Sequence, residues 1–341
     1  MDAVQFSEHG GRDVIEYGEF PDPEVRSDEV LVDVKAGALN HLDIWTRKGL
    51  PGIDLEMPHI PGSDCAGVVS EVGEDVRRFS EGDRVALLAG VGDERMDDPT
   101  LDSRFHIIGE HVRGVHSEYA AIPEDNLVSV PESIEWETAA AAPLVFQTAW
   151  RMLIHRGELQ AGEDVLVLGA SGGVGHAAVQ VAAHAGATVY ATASSEEKLE
   201  YAEEIGAEET INYAETEFGS EIKSLTDGRG VDMVVDHIGA ETWDDSLKSL
   251  AKGGRIVTCG ATTGPNPGAG LNRMFWNQLS VIGSTMATPE QAEEALSLVW
   301  DGTFEPEIRE VLPMSEAHRA HEIIEEREGF GKVVVVPDSE L

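Results

Sequence analysis

The sequence predicts an α/β protein built of two parts, a twisted antiparallel barrel or sandwich followed by a doubly wound parallel sheet. Short β-like runs separated by turn residues fill roughly the first 130 residues, which is typical of all-β packing. After Pro143, strand-like and helix-like segments alternate, which indicates parallel strands joined by helical crossovers. The length of 341 residues is about that of two domains.

The first part contains three clear candidate strands, at residues 30–36, 66–72 and 83–89. Proline and glycine residues separate these runs, as tight turns require. The pattern predicts a twisted antiparallel barrel or sandwich.

The second part begins with the apolar run 164–169, which is typical of a strand buried on both faces. An alanine-rich helix follows at 175–186 and closes with a glycine cap. Ser194 and Glu197 have the spacing of a capping box at the start of the next helix. The remaining predicted segments are strands at 188–193, 231–238, 255–261 and 279–285 and a helix at 194–207.

Two signals lie near the C-terminus. Thr288, Pro289 and Gln291 supply an N-cap, an N1 proline and a capping-box partner for a helix. The run KVVVV at 332–336 predicts a terminal strand that returns to the first part of the molecule.

The charge of the chain excludes several kinds of partner. Asp and Glu number 64 against 24 Lys and Arg, for a formal net charge of −40. This charge repels nucleic acid and anionic membrane, so we expect neither as a partner. The acids are spread along the chain rather than gathered in a tail. We interpret them as a solvated halophilic surface, suited to a cytoplasm of very high salt.

Cysteine usage and hydropathy indicate a cytoplasmic location. Cys65 and Cys259 are the only cysteines, too few for a disulfide framework or a four-cysteine zinc site. The N-terminus has no basic run followed by an apolar core, so we expect no signal peptide. No run approaches the ~18 apolar residues of a spanning helix.

The glycine-rich turn ASGGVG predicts a dinucleotide site. Its residues follow a predicted strand and open a predicted helix, which is the setting that gives this motif its weight. Glycines there let backbone amides approach a pyrophosphate, and the helix N-terminus favours the negative charge. The candidate cofactor-binding residues of the turn are Ala170, Ser171, Gly172, Gly173, Val174 and Gly175.

The second strand indicates which dinucleotide binds. An NAD site places an acid there for the ribose 2′-hydroxyl, whereas this strand ends in Ala193 and Ser194. Ser194, Ser195 and Lys198 can donate hydrogen bonds to a 2′-phosphate, which favours NADP(H). Alternatively the serines cap the following helix, and the neighbouring acids Glu196 and Glu197 oppose a phosphate.

The sequence resembles the medium-chain dehydrogenase/reductase superfamily, particularly its quinone oxidoreductase and zinc-type alcohol dehydrogenase-like branches. The matching stretches are GALNHLDIWTRKG (37–49), PHIPGSDCAGVVSEVGEDVRRFSEGDRV (58–85), AAAPLVFQTAWRML (140–153), LGASGGVGHAAVQVA (168–182) and GFGKVVVV (329–336). The resemblance implies a GroES-like β-barrel domain at 1–146, completed by 287–341, and a Rossmann domain at 147–286. It also implies an active site in the cleft between them and a homo-oligomer, either a dimer or a tetramer.

The resemblance also identifies where zinc ligands would stand. The usual cysteine, histidine and second cysteine correspond to Asn40, to Ser63 before Asp64, and to a position near Leu144. The structural zinc lobe corresponds to residues 90–110, which contain no cysteine. Asparagine and leucine do not replace thiolate or imidazole ligands, so zinc is not expected. An unorthodox site remains an alternative, with candidate ligands Asp43, His59, Asp64, Glu110 and His111.

By the resemblance, Asn40, His41 and Asp43 lie on the nicotinamide side. The Asn40 amide is a candidate donor to an oxyanion or to the nicotinamide ribose, and Asp43 a candidate to orient it. His41 could contact the cofactor or shuttle a proton, since its reference pKa is about 6.5. His41 and Asp43 could equally stabilise a helix start.

Other site residues are implied in the same way. Thr148 matches the family threonine behind the nicotinamide ring, and Gly260, Ala261 and Ser284 are expected near the carboxamide. Tyr213 matches a position near the adenosine phosphate in NADPH-using relatives, with a core or surface tyrosine as its rival interpretation.

These expectations favour a zinc-free, NADPH-dependent reductase whose substrate is a small quinone or α,β-unsaturated carbonyl. Alcohol oxidation without a metal is harder because the Lewis acid is missing. Two alternatives stay open: an alcohol or sugar dehydrogenase with a remodelled metal site, and a non-enzymatic NADPH-binding protein.

Overall fold

The computed structural model describes residues 1–93 and 95–340. Its strands are β1 Asp2–Gln5, β2 Glu16–Glu19, β3 Glu29–Ala38, β4 Cys65–Val72, β5 Arg84–Leu87, β6 Gly90–Val91, β7 His106–Ile107, β8 Tyr119–Pro123, β9 Leu127–Ser129, β10 Asp164–Val167, β11 Thr188–Ala193, β12 Glu209–Asn212, β13 Val231–Val235, β14 Leu250–Thr258, β15 Ser280–Gly283, β16 Ile308–Pro313 and β17 Lys332–Val336. Its α-helices are α1 His41–Lys48, α2 Trp136–Ala141, α3 Pro143–Trp150, α4 Gly173–His184, α5 Glu196–Glu204, α6 Phe218–Leu225, α7 Trp243–Ser249, α8 Leu271–Asn277, α9 Pro289–Trp300 and α10 Ala317–Glu325.

The chain forms two compact units. The first contains Met1–Leu144 and Ala287–Leu341, and the second contains Val145–Met286. Among the helices of the described residues, we find none with both the length and the apolar character needed to cross a membrane.

The first unit is built on a seven-stranded sheet. Its order is β16-β17-β3-β4-β5-β9, and β8 also pairs with β3. Most pairings are antiparallel, as the sequence predicts. Strand β17 pairs with β3 through Val334 opposite Ala38, which confirms that the terminal strand returns to the first part. All five residues of β17 are buried, which explains its unbroken apolar run.

The second unit contains a six-stranded parallel sheet in the order β12-β11-β10-β13-β14-β15. From β10 the chain adds β11 and β12 on one side of the sheet. It then returns to the other side of β10 and adds β13, β14 and β15. This reversal beside β10 is a topological switch point, where open α/β sheets bind ligands at the carboxyl ends of their strands. The doubly wound prediction is confirmed.

Local signals at the helix starts had mixed outcomes. Thr288 and Gln291 form the predicted capping box at the start of α9. The capping box predicted at Ser194 and Glu197 is wrong, because α5 has Ser195 as its N-cap and that side chain makes no capping hydrogen bond.

Strand β13 ends at Val235, three residues before the predicted end. The reason is that the carboxylate of Asp236 accepts the backbone N–H groups of Ile238 and Gly239, at 2.9 and 3.0 Å. These bonds turn the chain away from the sheet immediately after the strand.

Candidate functional site

The glycine turn joins β10 to α4 at the carboxyl edge of the second unit's sheet. Gly169 has a φ of +60°, in the left-handed region that glycine adopts at little cost. The N–H of Ala170 donates to Thr192 at 3.0 Å, and the N–H of Gly172 donates to Gly169 at 3.0 Å. These two amides therefore hold the turn itself together. The Gly172 amide is thus engaged within the turn, and the role of Gly172 in cofactor binding stays a prediction.

The donors that remain lie at the start of α4. Gly173, Val174 and Gly175 are its first three residues, and such N–H groups have no acceptor within their own helix. Together with the helix dipole they form an anion site. A Cβ atom on Gly175 would overlap the Gly169 carbonyl oxygen, so glycine there lets the helix begin against the turn. Ser171 lies within the turn, and the whole arrangement fits a dinucleotide phosphate.

The residues proposed for a 2′-phosphate come together at the neighbouring strand ends. Ala193 ends β11 and pairs with Asn212 at the end of β12. The N–H of Tyr213 donates to Ala193 at 3.1 Å, which places this half-exposed tyrosine beside Ser194. Ser195 caps α5 without using its side chain, and Lys198 lies in the first turn of that helix. The hydroxyls are thus not committed to the capping box that the sequence predicted.

The residues expected near the nicotinamide lie at the other side of the same edge. Gly260 and Ala261 follow β14, and Ser284 follows β15, where its N–H donates to Thr258 at 2.9 Å. The Ser284 hydroxyl oxygen is buried and has no hydrogen-bond partner among the described residues. Such an atom fits the polar end of a bound ligand. Thr148 lies on α3 and is buried.

A separate polar cluster lies inside the first unit, around the ammonium group of Lys332. Its Nζ donates to the Leu39 carbonyl at 2.9 Å, to Asn40 Oδ1 at 2.6 Å and to Asp64 Oδ2 at 3.1 Å. Asn40 Nδ2 donates to Asp64 Oδ2 at 2.8 Å. The three side chains are buried and satisfy one another. We call Asn40, Asp64 and Lys332 the lysine cluster.

Leu144 belongs to the same region, because its N–H donates to Asp64 Oδ1 at 2.9 Å. Both carboxylate oxygens of Asp64 therefore accept hydrogen bonds. Burial raises the pKa of the Asp64 carboxyl to about 6, against the opposing effects of Lys332, Asn40 and the Leu144 amide. At neutral pH the cluster is an ion pair shielded from water.

This arrangement changes the role expected for Asn40 and agrees with the interpretations given for Asp43. The Asn40 amide is anchored by Lys332 and Asp64 instead of being a free donor. Asp43 is fully buried and accepts the backbone N–H groups of Asn40 and Gly62, at 2.7 and 2.9 Å. It therefore orients Asn40 through the backbone and stabilises the start of α1. His41 is exposed on the first turn of that helix, with its ring 6.2 Å from that of Trp45.

The residues at the positions that the resemblance assigns to zinc ligands are engaged in hydrogen bonds. Asn40 and the Leu144 amide contact Asp64, and the Ser63 hydroxyl donates to the Ile108 carbonyl at 2.7 Å. In the described part of the chain, no three His, Cys, Asp or Glu side chains form a group that could hold a metal ion. The alternative ligand candidates Asp43, His59, Asp64, Glu110 and His111 are among these residues. Zinc independence stays a prediction.

Sequence reasoning missed Lys332. This residue begins a wholly buried strand, and a lysine before four valines was the available signal.

Comparison with known proteins agrees with the two-part fold. Residues 26–132 match the alcohol dehydrogenase GroES-like domain, and residues 173–301 match the family described as zinc-binding dehydrogenase. A quinone oxidoreductase of Pseudomonas aeruginosa is 34% identical, over 98% of this chain and 99% of the relative. An acryloyl-coenzyme A reductase of Sulfurisphaera tokodaii is 33% identical, over 94% and 95%. A solved structure described as an NAD-dependent alcohol dehydrogenase is 42% identical, with a TM-score of 0.94 over 98% and 99% of the two chains.

The lysine cluster generates a prediction about stability. In Lys332→Met, Asp64 remains as a buried charge without its partner, so we expect the free energy of unfolding to fall by about 3–5 kcal/mol at neutral pH. A folded-state pKa above that of the unfolded chain means that protonation favours the folded form. Because Lys332 lowers the pKa of Asp64, that pKa lies above about 6 in the variant. The deficit relative to the natural protein should therefore shrink as the pH falls towards about 6 and change little below it. Urea unfolding of both proteins at several pH values measures this difference in the free energy of unfolding.

The matched control is Lys35→Met, which removes a lysine paired with Asp33 and Glu340 near the surface. That change should cost less than about 1 kcal/mol, because such pairs contribute little. A loss for Lys332→Met that does not vary with pH would contradict the role given to Asp64.

Proposed function

Because this chain belongs to the medium-chain dehydrogenase/reductase superfamily of oxidoreductases, we propose that it reduces quinones or α,β-unsaturated carbonyls with NADPH and without zinc. The observation that carries the proposal is the lysine cluster. The ammonium group of Lys332 lies among residues that the resemblance assigns to metal-ligand positions. It donates hydrogen bonds to the oxygen atoms of Asn40 and Asp64 that could otherwise face a metal ion.

The proposed chemistry does not require a Lewis acid. Oxidation of an alcohol needs loss of the hydroxyl proton, which a bound metal makes easier. A quinone or an activated alkene already carries an electron-withdrawing carbonyl, so it accepts a hydride and then a proton with help from hydrogen bonding alone. NADPH supplies the hydride when bound. The relatives named for quinone and acryloyl-coenzyme A reduction act on substrates of this type.

The chain's own residues have binding roles in this proposal. The first turn of α4 holds the pyrophosphate, and Ser194, Ser195 and Tyr213 hold the 2′-phosphate. Thr148, Ala261 and Ser284 orient the nicotinamide end, where the partnerless Ser284 hydroxyl can bond the carboxamide.

An alcohol dehydrogenase is the second candidate. It is favoured by the 42% identity to a structure described as an NAD-dependent alcohol dehydrogenase. That enzyme would use NADH, and its metal would have to displace Lys332 from Asn40 and Asp64.

The test of the reaction is steady-state turnover of the purified protein with a panel of quinones, enones, alcohols and aldehydes. We expect NADPH oxidation by quinones or enones, with unchanged rates after treatment with a strong chelator. Stoichiometric zinc together with loss of activity on chelation would favour the alcohol dehydrogenase instead. Absence of turnover on the whole panel would favour a non-enzymatic role.

The cofactor is tested separately. We expect a higher kcat/KM for NADPH than for NADH, because Ala193 and Ser194 stand where an acid would bind the ribose hydroxyl. Ser194→Asp should reverse the preference by repelling the 2′-phosphate. The exposed Ser7→Asp adds the same charge elsewhere and should leave the ratio unchanged. Higher kcat/KM for NADH in the natural protein would overturn this part.

We further propose that the partner is a second copy of this chain, docked on the edge strand β15. The acidic residues are not evenly spread, since residues 246–289 contain neither Asp nor Glu. That segment ends the six-stranded sheet with β15 and carries α8, where Phe275 and Trp276 are 68% and 72% exposed. The opposite edge, β12, lies among Glu208, Glu209 and Glu215. Two chains of net charge −40 can therefore approach most easily at β15.

Light scattering should give the mass of a dimer or of a multiple of it. Val281→Glu, on β15, should halve that mass by adding a charge to the interface. Leu225→Glu adds the same charge to a similarly exposed apolar side chain on α6 and should leave the mass unchanged. A monomeric natural protein, or an unaltered Val281→Glu variant, would rule out this interface.

A further inference from the structure

His237 lies in the turn after β13, between strand ends that the proposed function assigns to the cofactor. The turn is held by the buried Asp236, whose carboxylate accepts two backbone N–H groups and the hydroxyls of Thr242 and Ser246. The hydroxyl bonds are 3.0 Å and 2.8 Å long. A carboxylate with this many donors fixes the backbone around it.

A second set of bonds fixes this turn to the turn after β14. The carbonyl of His237 accepts the N–H and the hydroxyl of Thr262, at 3.4 and 3.1 Å. The next carbonyl accepts the hydroxyl of Thr263 at 2.9 Å. The position of the His237 backbone is thus determined from both sides, which limits where its side chain can go.

The imidazole lies against the glycine turn. A Cβ atom built on Gly169 would be 3.6 Å from His237 Nε2. On the other side, a Cβ atom on Gly239 would come within 3.0 Å of the Ala261 Cα. The ring therefore lies beside the phosphate-side residue Gly169, and the turn that carries it approaches the nicotinamide-side residue Ala261 through the backbone of Gly239.

The ring nitrogen Nδ1 is buried and has no hydrogen-bond partner among the described residues. Leaving a buried polar atom unpaired costs about 1–3 kcal/mol, so such an atom calls for an explanation. Trp243 Nε1 is unpaired in the same part of the unit. Among the described residues, only His237 combines an unpaired buried atom with a place beside the glycine turn.

We infer that His237 is a cofactor-positioning residue whose Nδ1 bonds a hydroxyl of the ribose on the nicotinamide side. The inference rests on the proposed function, because it takes the glycine turn and Ala261 as the two ends of one dinucleotide site. Burial lowers the pKa of His237, so the ring is neutral at pH 7 and offers no positive charge to a phosphate. A neutral imidazole has one donor and one acceptor, and it suits a hydroxyl, which has both.

Three variants of His237 test which ring nitrogen bonds the cofactor. The amide of His237→Asn stands near the place of Nδ1, that of His237→Gln stands near Nε2, and His237→Leu has neither. Dissociation constants are measured by fluorescence titration with NADPH, with NADH, and with 2′,5′-ADP, which lacks the nicotinamide ribose. We expect His237→Leu to bind NADPH about tenfold more weakly, from the loss of one hydrogen bond, and to bind 2′,5′-ADP as the natural protein does.

The Asn variant should regain NADPH affinity to within about twofold of the natural protein, whereas Gln should resemble Leu. Unchanged NADPH binding in all three variants would overturn the inference, and so would equal weakening of NADPH and 2′,5′-ADP. If His237→Leu fails to fold, the order of Asn and Gln decides the matter. Failure of the natural protein to bind either nicotinamide dinucleotide would instead overturn the proposed function itself.

Discussion

The ammonium group of Lys332 lies 3.1 Å from the Asp64 carboxylate inside the first unit, where little water compensates either charge. A buried ion pair is stable only when its remaining hydrogen-bonding capacity is met. Here the three donors of the lysine reach three acceptors, and both oxygens of the aspartate accept hydrogen bonds. The two residues are 268 positions apart. The pair therefore fixes the last strand of the chain against the residue that precedes β4, and the bonds of Lys332 to Leu39 and Asn40 fix it against the segment that precedes α1.

Several features depend on this pair. Strand β17 lies between β16 and β3, and the lysine at its first position bonds the residues that follow β3. Asn40, held by Lys332, stands directly before α1, and Asp43 completes that helix start from the other side. A cation is thus present among the residues that the resemblance assigns to zinc-ligand positions. It bonds the segments before α1 and before β4 without offering an open coordination position to a substrate.

The sequence could predict the features that depend on neighbours along the chain. The parallel sheet was readable because strands buried on both faces are continuous apolar runs, as in β10. The capping box of Thr288 and Gln291 was readable because its partners are three residues apart. The hydrogen bonds of Lys332 could not be predicted from the sequence, because its partners Asp64 and Asn40 lie 268 and 292 positions away. The directions of the Ala170 and Gly172 amides depend on Thr192 and on the left-handed Gly169, so a motif alone could not assign them.

Unpaired buried polar atoms are not confined to one place in the described residues. Thr46, His59 and His116 each have one in the first unit, and they lie far in sequence from the glycine turn. The unpaired atom alone is therefore weak evidence for a ligand. What distinguishes His237 and Ser284 is their position at the ends of β13 and β15, on either side of β14. Both stand at the carboxyl edge where the parallel strands, the glycine turn and the helix dipole favour ligand binding. The neighbouring Asp236 is fully bonded and fixes the turn that carries His237. The two unpaired polar atoms at this edge are therefore ones that a ligand or water would satisfy.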